Sequence, residues 1–208
     1  MWHVACSTCR VLRLALRDVT LVVHDFGGPI ALGLALKRPS IVRRVAVINS
    51  WMPLDDDPTV RRGARVAGSW FGKLLYRELA LPLRVLMPQV YADRKKLTPE
   101  IHAQYQAPFA SRASRAQVLW PLARSLLGSS TFHASLEASG HLVAEIPAAV
   151  IWGTRDRALG ATQLAHWRRL LPHGAVTEIA DAGHWPREEQ PERVVAAIRD
   201  LVGEVVPR

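Results

Sequence analysis

The stretch "LVVHDFGGPIALGLALKRP", residues 21–39, places an aspartate between an apolar run and two glycines. The apolar residues before Asp25 are typical of a buried strand. The Ala/Leu-rich residues after Gly28 predict a helix, because Pro29 is tolerated in a first helical turn. A strand that passes directly into a helix through two glycines makes a sharp turn, and such a turn projects its central residue into a cleft. Asp25 at this turn is therefore either a functional carboxylate or, in the simpler interpretation, a helix N-cap.

Strands and helices alternate on both sides of this stretch, with one long interruption. Strands are predicted at 18–24, 42–50, 148–153 and 175–180, and helices at 28–38, 161–171 and 191–202. Apolar runs, rather than alternating ones, indicate strands that are covered on both faces, as in a parallel α/β sheet. The interruption has helical periodicity and no convincing strand. We therefore expect an α/β core of residues 1–52 and 146–208, with residues 53–145 inserted as a helical cap.

Composition restricts the function classes. The chain has 208 residues, 49% of them hydrophobic, and a net charge of +9. Its arginines are spread along the chain rather than clustered, which favours solvated faces over a nucleic-acid site. No apolar run approaches the ~20 residues that span a bilayer, and no signal peptide is evident at the start. We expect a cytoplasmic protein that binds neither nucleic acid nor membrane.

Metal and cofactor chemistry is not indicated. Cys6 and Cys9 form a C-x-x-C pair, but no second ligand pair stands at finger-like spacing and no strand precedes it. The histidines show no H-x-x-x-H pair, so we expect no metal and no cofactor. His24 has packing as its expected role. The other histidines outside the site discussed next are expected to be surface or structural residues: His3, His102, His133, His141, His166 and His173.

Charged or titratable side chains follow three of the predicted strands. Asp25 ends the first, Asp156 follows the third in "IWGTRDRALG", and His184 follows the fourth in "ADAGHWPREE". Because the carboxyl ends of parallel strands meet at one edge of the sheet, these residues should converge there. Two carboxylates and a histidine are the composition of a catalytic triad.

An aspartate at the turn predicts a different chemistry from a serine. A carboxylate is already ionised and attacks an electrophilic carbon directly, which gives an alkyl-enzyme ester. His184 would activate the water that hydrolyses this ester, and Asp156 would orient and charge-compensate the imidazole. A serine hydrolase is less favoured. A serine nucleophile would need flanking glycines at the spacing of a nucleophile elbow, the sharp strand-to-helix turn that presents the nucleophile, and Ser7, Ser50, Ser69 and Ser111 lack them.

These motifs resemble those of the α/β-hydrolases, in particular the haloalkane dehalogenase and epoxide hydrolase group. The resemblance covers nearly the whole chain and lies in "VVHDFGGPIAL" (22–32), "VAVINSWM" (45–52), the cap piece "LTPEIHAQYQAPFASRASRAQVLWPLA" (97–123), "WGTRDRALG" (152–160) and "IADAGHWPREEQPE" (179–192). It implies Asp25 as nucleophile, Asp156 as acid and His184 as base. It also implies a small-molecule substrate, with haloalkanes preferred over epoxides.

The residue after the nucleophile departs from the dehalogenase pattern. Dehalogenases usually carry Trp there, whose indole N–H binds the departing halide, whereas this chain has Phe26, which has no donor. Trp51 and Trp70 are the candidate substitutes for halide binding. Epoxide hydrolases tolerate Phe at this position and use cap tyrosines to protonate the ring oxygen. The tyrosines available for that role are Tyr76, Tyr91 and Tyr105.

The early strands of the family and their oxyanion loop have no counterpart before Asp25, which only 24 residues precede. We therefore expect a truncated sheet of about four strands whose first strand is an open edge, prone to self-association. The Phe26 backbone N–H remains as one oxyanion donor. Three functions follow as alternatives: a dehalogenase-like hydrolase, an epoxide hydrolase, or a non-catalytic truncated fragment.

Overall fold

The computed structural model describes residues 13–52, 62, 65–128 and 130–203. Its four strands form one sheet in the order β1-β2-β3-β4, and every neighbouring pair is parallel. The strands are β1 (Val19–Asp25), β2 (Val42–Ser50), β3 (Ala148–Gly153) and β4 (Ala175–Ile179). The predicted parallel α/β sheet of four strands is confirmed, and the predicted strand bounds agree to within one residue.

Seven helices of eight or more residues are described. They are α1 (Gly27–Lys37), α2 (Trp70–Arg77), α3 (Pro99–Gln106), α4 (Trp120–Gly128), α5 (Ser130–Ala138), α6 (Ala161–Leu170) and α7 (Pro191–Val202). Shorter helical turns join them at Pro82–Leu86, Met87–Gln89, Arg94–Lys96, Ala107–Phe109, Arg112–Ser114, Arg115–Leu119, Gly140–Leu142 and Pro186–Glu189. The described residues between β2 and β3 contain helices and loops and no strand, so this segment is the insertion in the sheet.

Side-chain caps mark where two insertion helices begin. The Ser69 hydroxyl accepts from the Gly72 backbone N–H at 3.0 Å and starts α2. The Thr98 hydroxyl accepts from the Ile101 N–H at 3.3 Å before Pro99, which opens α3. Both positions carry the residue types that satisfy the unpaired N–H groups of a first helical turn.

Helices cover both faces of the sheet, which explains its apolar strands. On one face, β2 and β3 pack against α1, α5 and α6, and the buried side chains there include Leu32, Val47, Leu136, Val150 and Trp167. On the other face, the smaller cluster beneath α7 consists of Ile48, Ile151, Ile179, Ala182, Val194 and Ala197. Burial on both faces is what parallel strands require, since their crossover helices lie on either side.

Strand β1 lies at one edge of the sheet. It pairs with β2 from Val19 to Asp25, and within the described part of the chain no strand pairs with its other side. Val22 is 49% exposed there. The predicted self-association through this edge stays a prediction.

Two other predictions concern the C-x-x-C pair near the start of the chain and the lack of a membrane-spanning segment. Cys6, Cys9 and His3 lie outside the described residues. Across residues 13–52, 62, 65–128 and 130–203, no helix has the length and apolar character that crossing a bilayer requires.

Candidate active site

Asp25 occupies a strained turn between β1 and α1. Its φ of +51° lies in the left-handed region, which costs a non-glycine residue roughly 1–3 kcal/mol. Phe26, not Asp25, is the N-cap of α1, and no side chain of its own caps the helix. The N-cap interpretation of Asp25 is therefore not observed, and its role as a functional carboxylate stays a prediction.

The close packing behind the turn explains the second glycine. A Cβ on Gly28 would lie 2.2 Å from the Ser50 Oγ and 2.5 Å from the Trp167 ring, so no larger residue fits. The Asp25 carbonyl accepts from the Ser50 hydroxyl at 2.5 Å and from the Trp51 N–H at 2.9 Å. The end of β2 thus holds the turn in place.

Asp156 and His184 form a buried hydrogen-bonded pair. The His184 Nδ1 lies 2.8 Å from the Asp156 Oδ2. The other carboxylate oxygen, Oδ1, accepts from the backbone N–H groups of Ala158 at 2.7 Å and Leu159 at 2.9 Å. Because Asp156 can only accept while ionised, Nδ1 carries the proton and Nε2 is left to accept one. This is the tautomer that a general base needs.

Asn49, at the end of β2, is a member of this group that sequence reasoning missed. Its Nδ2 donates to the Asp156 Oδ2 at 2.8 Å and to the Gly153 carbonyl at 3.1 Å, and its Oδ1 accepts from the Gly153 N–H at 2.7 Å. These partners determine the orientation of its amide. The signal available in the sequence was a polar residue directly after the apolar residues 45–48. In the structure, the φ of +29° at Asn49 suits asparagine better than most residues.

Burial and mutual charge shift the titration of the two proposed reacting groups. Burial raises the pKa of Asp25, and the nearby His184 opposes this rise. Burial lowers the pKa of His184, but the hydrogen bond and charge of Asp156 and the charge of Asp25 outweigh it, so the net shift is upward. The effect of each charge on the pKa of the other group indicates that Asp25 and His184 interact electrostatically in a site shielded from water.

His24 packs against His184. Its Nε2 donates to the His184 carbonyl at 2.6 Å, and its ring lies 4.6 Å from the His184 ring and 4.8 Å from that of Trp185. Burial, with the charges of His184 and Arg187, lowers the pKa of His24 to about 2. His24 is therefore a neutral packing residue at any functional pH.

A buried glutamate joins the insertion to the histidine loop. Glu189 is fully buried, and its carboxylate accepts from the N–H groups of Gly183 at 2.7 Å, Ala92 at 2.8 Å and Asp93 at 3.0 Å. The His184 N–H donates to the Val90 carbonyl at 2.9 Å. Residues 90–93 of the insertion are thereby held directly against the loop that carries His184.

The cap tyrosines differ in their hydrogen bonds. The Tyr105 hydroxyl donates to Glu188 at 2.5 Å and accepts from Arg187 at 2.9 Å, so it is engaged in a structural network. The Tyr91 hydroxyl is buried, and no described group hydrogen-bonds to it. Burial raises the pKa of Tyr91, which keeps its hydroxyl protonated and able to donate. Tyr76 is partly buried, and burial raises its pKa as well.

Phe26 and the two candidate halide-binding residues, Trp51 and Trp70, occupy different environments. Phe26 and Trp51 pack together with ring centroids 5.5 Å apart, directly beside the turn that carries Asp25. Trp70 begins α2 and is 80% exposed, with its ring against Phe71. Among the described residues, no group of three His, Cys, Asp or Glu side chains has the arrangement of a metal site.

Comparison with known proteins gives the family context. The family model described as alpha/beta hydrolase fold matches residues 8–191. A loop variant of a haloalkane dehalogenase from Bradyrhizobium elkanii superimposes with a TM-score of 0.81 at 22% sequence identity, over 96% of this chain and 71% of that one. At this identity the structural likeness concerns the fold alone.

Three curated relatives are named for different reactions. The chain is 28% identical over 193 residues to a cis-3-alkyl-4-alkyloxetan-2-one decarboxylase of Shewanella oneidensis, covering 90% of the chain and 60% of the relative. It is 26% identical over 188 residues to haloalkane dehalogenase 2 of Mycobacterium tuberculosis, covering 86% and 63%. It is 26% identical over 198 residues to epoxide hydrolase 1 of Caenorhabditis elegans, covering 88% and 47%. The chain thus spans about half to two thirds of each relative's length.

Proposed function

The chain belongs to the α/β-hydrolase family, and we propose that within it Asp25 is a nucleophile that forms a covalent ester with its substrate. The observation that carries the proposal is the geometry of Asp25, a carboxylate at a left-handed turn that caps no helix. Support comes from the hydrogen-bonded pair of Asp156 and His184, which leaves the His184 Nε2 free to accept a proton.

The reaction proceeds in two steps. A carboxylate oxygen of Asp25 attacks the substrate carbon, and the bond from that carbon to the leaving group breaks with its electron pair going to the leaving group. The His184 Nε2 then takes a proton from water, whose oxygen adds to the ester carbonyl carbon of Asp25. The tetrahedral intermediate expels the alkoxide, which takes the proton from His184 and leaves as the alcohol. The Phe26 N–H faces the developing oxyanion as a backbone donor.

The leaving group is the finer part of the proposal, and a halide remains our first candidate. Relatives named as haloalkane dehalogenases support it. The halide would have to be bound without a donor at Phe26, and the Trp51 indole beside Phe26 is the residue we assign to it. Trp70 fits the role of halide donor less well than Trp51, because its ring is exposed to solvent.

A strained ring oxygen is the second candidate. In an epoxide or an oxetan-2-one the leaving oxygen stays tethered to the substrate, so no separate halide site is needed. The buried Tyr91 hydroxyl, unpaired within the described part of the chain, is the proton donor we assign to an epoxide oxygen. The relative named as an oxetanone decarboxylase adds the four-membered ring to the candidates.

Intact-mass spectrometry tests the nucleophile and the leaving group together. Purified His184→Ala protein is incubated separately with 1,2-dibromoethane, styrene oxide and a cis-3,4-dialkyloxetan-2-one. We expect a covalent adduct that is absent in the double variant Asp25→Asn/His184→Ala, because the ester forms but its hydrolysis has lost its base. For the lactone, wild-type samples are analysed for the hydroxy acid that ester hydrolysis gives. They are also analysed for alkene and carbon dioxide, which form instead if the carboxylate freed by ring opening leaves as carbon dioxide and its electron pair forms the alkene while the carbon–oxygen bond to Asp25 breaks and returns the Asp25 carboxylate. Folded protein that forms no adduct and no product with any of the three compounds would refute the nucleophile and support the non-catalytic fragment.

Two structural proposals accompany this function. We propose that residues 53–145 act as a cap over the site, supported by the contacts of residues 90–93 with the histidine loop. We also propose that the outer side of β1 pairs with a further strand. Sedimentation velocity tests the pairing: a monomer at all concentrations in the micromolar range would argue against a second copy of this chain as that partner.

A further inference from the structure

Ser50 lies at the end of β2 and is fully buried. It contacts the elbow, the turn between β1 and α1 that carries Asp25. Its hydroxyl donates to the Asp25 carbonyl at 2.5 Å and accepts from the Gly28 N–H at 3.0 Å. Its own carbonyl accepts from the Trp167 indole at 2.7 Å. One hydroxyl therefore connects the nucleophile's backbone to the first turn of α1, in a helix whose N-cap residue supplies no side-chain cap.

The Asp25 carbonyl and the Phe26 N–H belong to the same planar peptide unit. Hydrogen bonds to the carbonyl from the Ser50 hydroxyl and the Trp51 N–H fix the plane of this unit and hence the direction of the Phe26 N–H. They also polarise the peptide, which strengthens its N–H as a donor. Hydrogen bonding to the Phe26 backbone lowers the pKa of the Asp25 carboxylate, against the larger effect of burial.

We propose that Ser50 is a positioning residue that orients and strengthens the Phe26 N–H as the oxyanion donor. The inference rests on the proposed function, in which an oxyanion forms on Asp25 while the ester is hydrolysed. It assigns Ser50 to the second step only: alkylation of Asp25 forms no tetrahedral oxyanion, whereas hydrolysis does. Ser50 thus contributes to catalysis without touching the substrate.

The two steps are separated by single-turnover measurements with quenched intact-mass detection. The electrophile is whichever of the three compounds labels Asp25 in the His184→Ala protein. In Ser50→Ala we expect ester formation within about threefold of wild type and ester hydrolysis about tenfold slower, less than the ~10²–10³ lost when an oxyanion donor is removed outright. The matched control is Ser125→Ala, which removes a hydroxyl bonded to the Leu122 carbonyl at 2.6 Å, away from the elbow.

A purely structural role for Ser50 would slow both steps equally, and that result would overturn the proposal.

A second measurement does not depend on turnover. In the NMR spectrum, the Phe26 amide proton of Ser50→Ala should shift to lower frequency and exchange faster with solvent than in wild type or Ser125→Ala. An unchanged Phe26 amide refutes the role of Ser50 even if esters form. Failure of every electrophile to label Asp25 refutes the nucleophile instead, and the Phe26 amide still decides on Ser50.

Discussion

The carboxylate of Glu189 offers a quantitative test of how the insertion is attached to the loop that carries His184. In Glu189→Gln the side chain keeps its shape but loses its charge and one of its two acceptor atoms. The amide oxygen can serve the Ala92 and Asp93 N–H groups, and then the amide NH₂ faces the Gly183 N–H. The reverse orientation satisfies only Gly183. Either way at least one buried N–H lies against another donor.

The expected loss of stability follows from these bonds. Hydrogen bonds to a charged group contribute about 1.5–3 kcal/mol each and neutral ones about 0.5–1.5 kcal/mol, so three strong bonds are exchanged for two weaker ones. The desolvation cost of the carboxylate disappears in the variant and offsets part of this loss. We expect the free energy of unfolding to fall by about 2–4 kcal/mol, which for a chain of this size lowers the melting temperature by about 4–16 °C.

Urea and thermal unfolding followed by circular dichroism measure this change. Glu178→Gln is the matched control, since Glu178 pairs with Arg168 at the surface, where both side chains are about half exposed and such pairs contribute about 0–1 kcal/mol. If Glu189→Gln unfolds within 0.5 kcal/mol of Glu178→Gln, roughly the scatter of surface substitutions, the buried carboxylate does not hold the two segments together. The reasoning from its three N–H donors would then be wrong.

Four further predictions concern the site itself. Because the pKa of His184 is raised above its ordinary value of ~6.5, the rate of ester hydrolysis should increase as the pH rises through this raised pKa. Asp156→Asn should shift this pH-dependent increase in rate to lower pH. By linkage, a raised folded-state pKa gives stability that is present below about pH 6.5 and lost as pH rises through the folded value, which pH-dependent urea midpoints will check. Asn49→Ala leaves the Gly153 N–H without its acceptor and removes one of the two donors to the Gly153 carbonyl, the other being the Asp156 N–H. It should cost about 2–4 kcal/mol in the same unfolding assay, and a cost under 1 kcal/mol contradicts its bridging role. Gly28→Ala should destabilise by about 1–3 kcal/mol or more, since its Cβ would overlap Ser50 and Trp167, and a variant as stable as wild type would mean that the turn relaxes.

The sheet was predictable from the sequence because its strands are covered on both faces. The run at Val42–Ser50 is apolar apart from its arginines and its polar end, and β2 has the predicted bounds. The insertion was less predictable. Its helices are short and interrupted by π-helical and 3-10 turns, so periodicity identified helix without locating each one.

The candidate site likewise contains residues that could be predicted from the sequence and residues that could not. Asp25, Asp156 and His184 follow strand ends, and any residue there reaches the same edge of the sheet. Asn49, Ser50 and Glu189 act through contacts with backbone groups far along the chain, for example Glu189 with Ala92. Neither spacing nor composition encodes such partners, so only the folded arrangement reveals them.

The strand order has a consequence for synthesis. Each strand pairs with the one before it in the chain, but about a hundred residues separate β2 from β3. At translation rates of about 5–20 residues per second, the inner edge of β2 waits roughly 5–20 s for its partner to emerge from the ribosome. During that interval an apolar strand has an unpaired side, which is where a nascent chain is open to aggregation and to chaperones. The length of the insertion, rather than the sheet itself, sets how long the nascent protein is vulnerable.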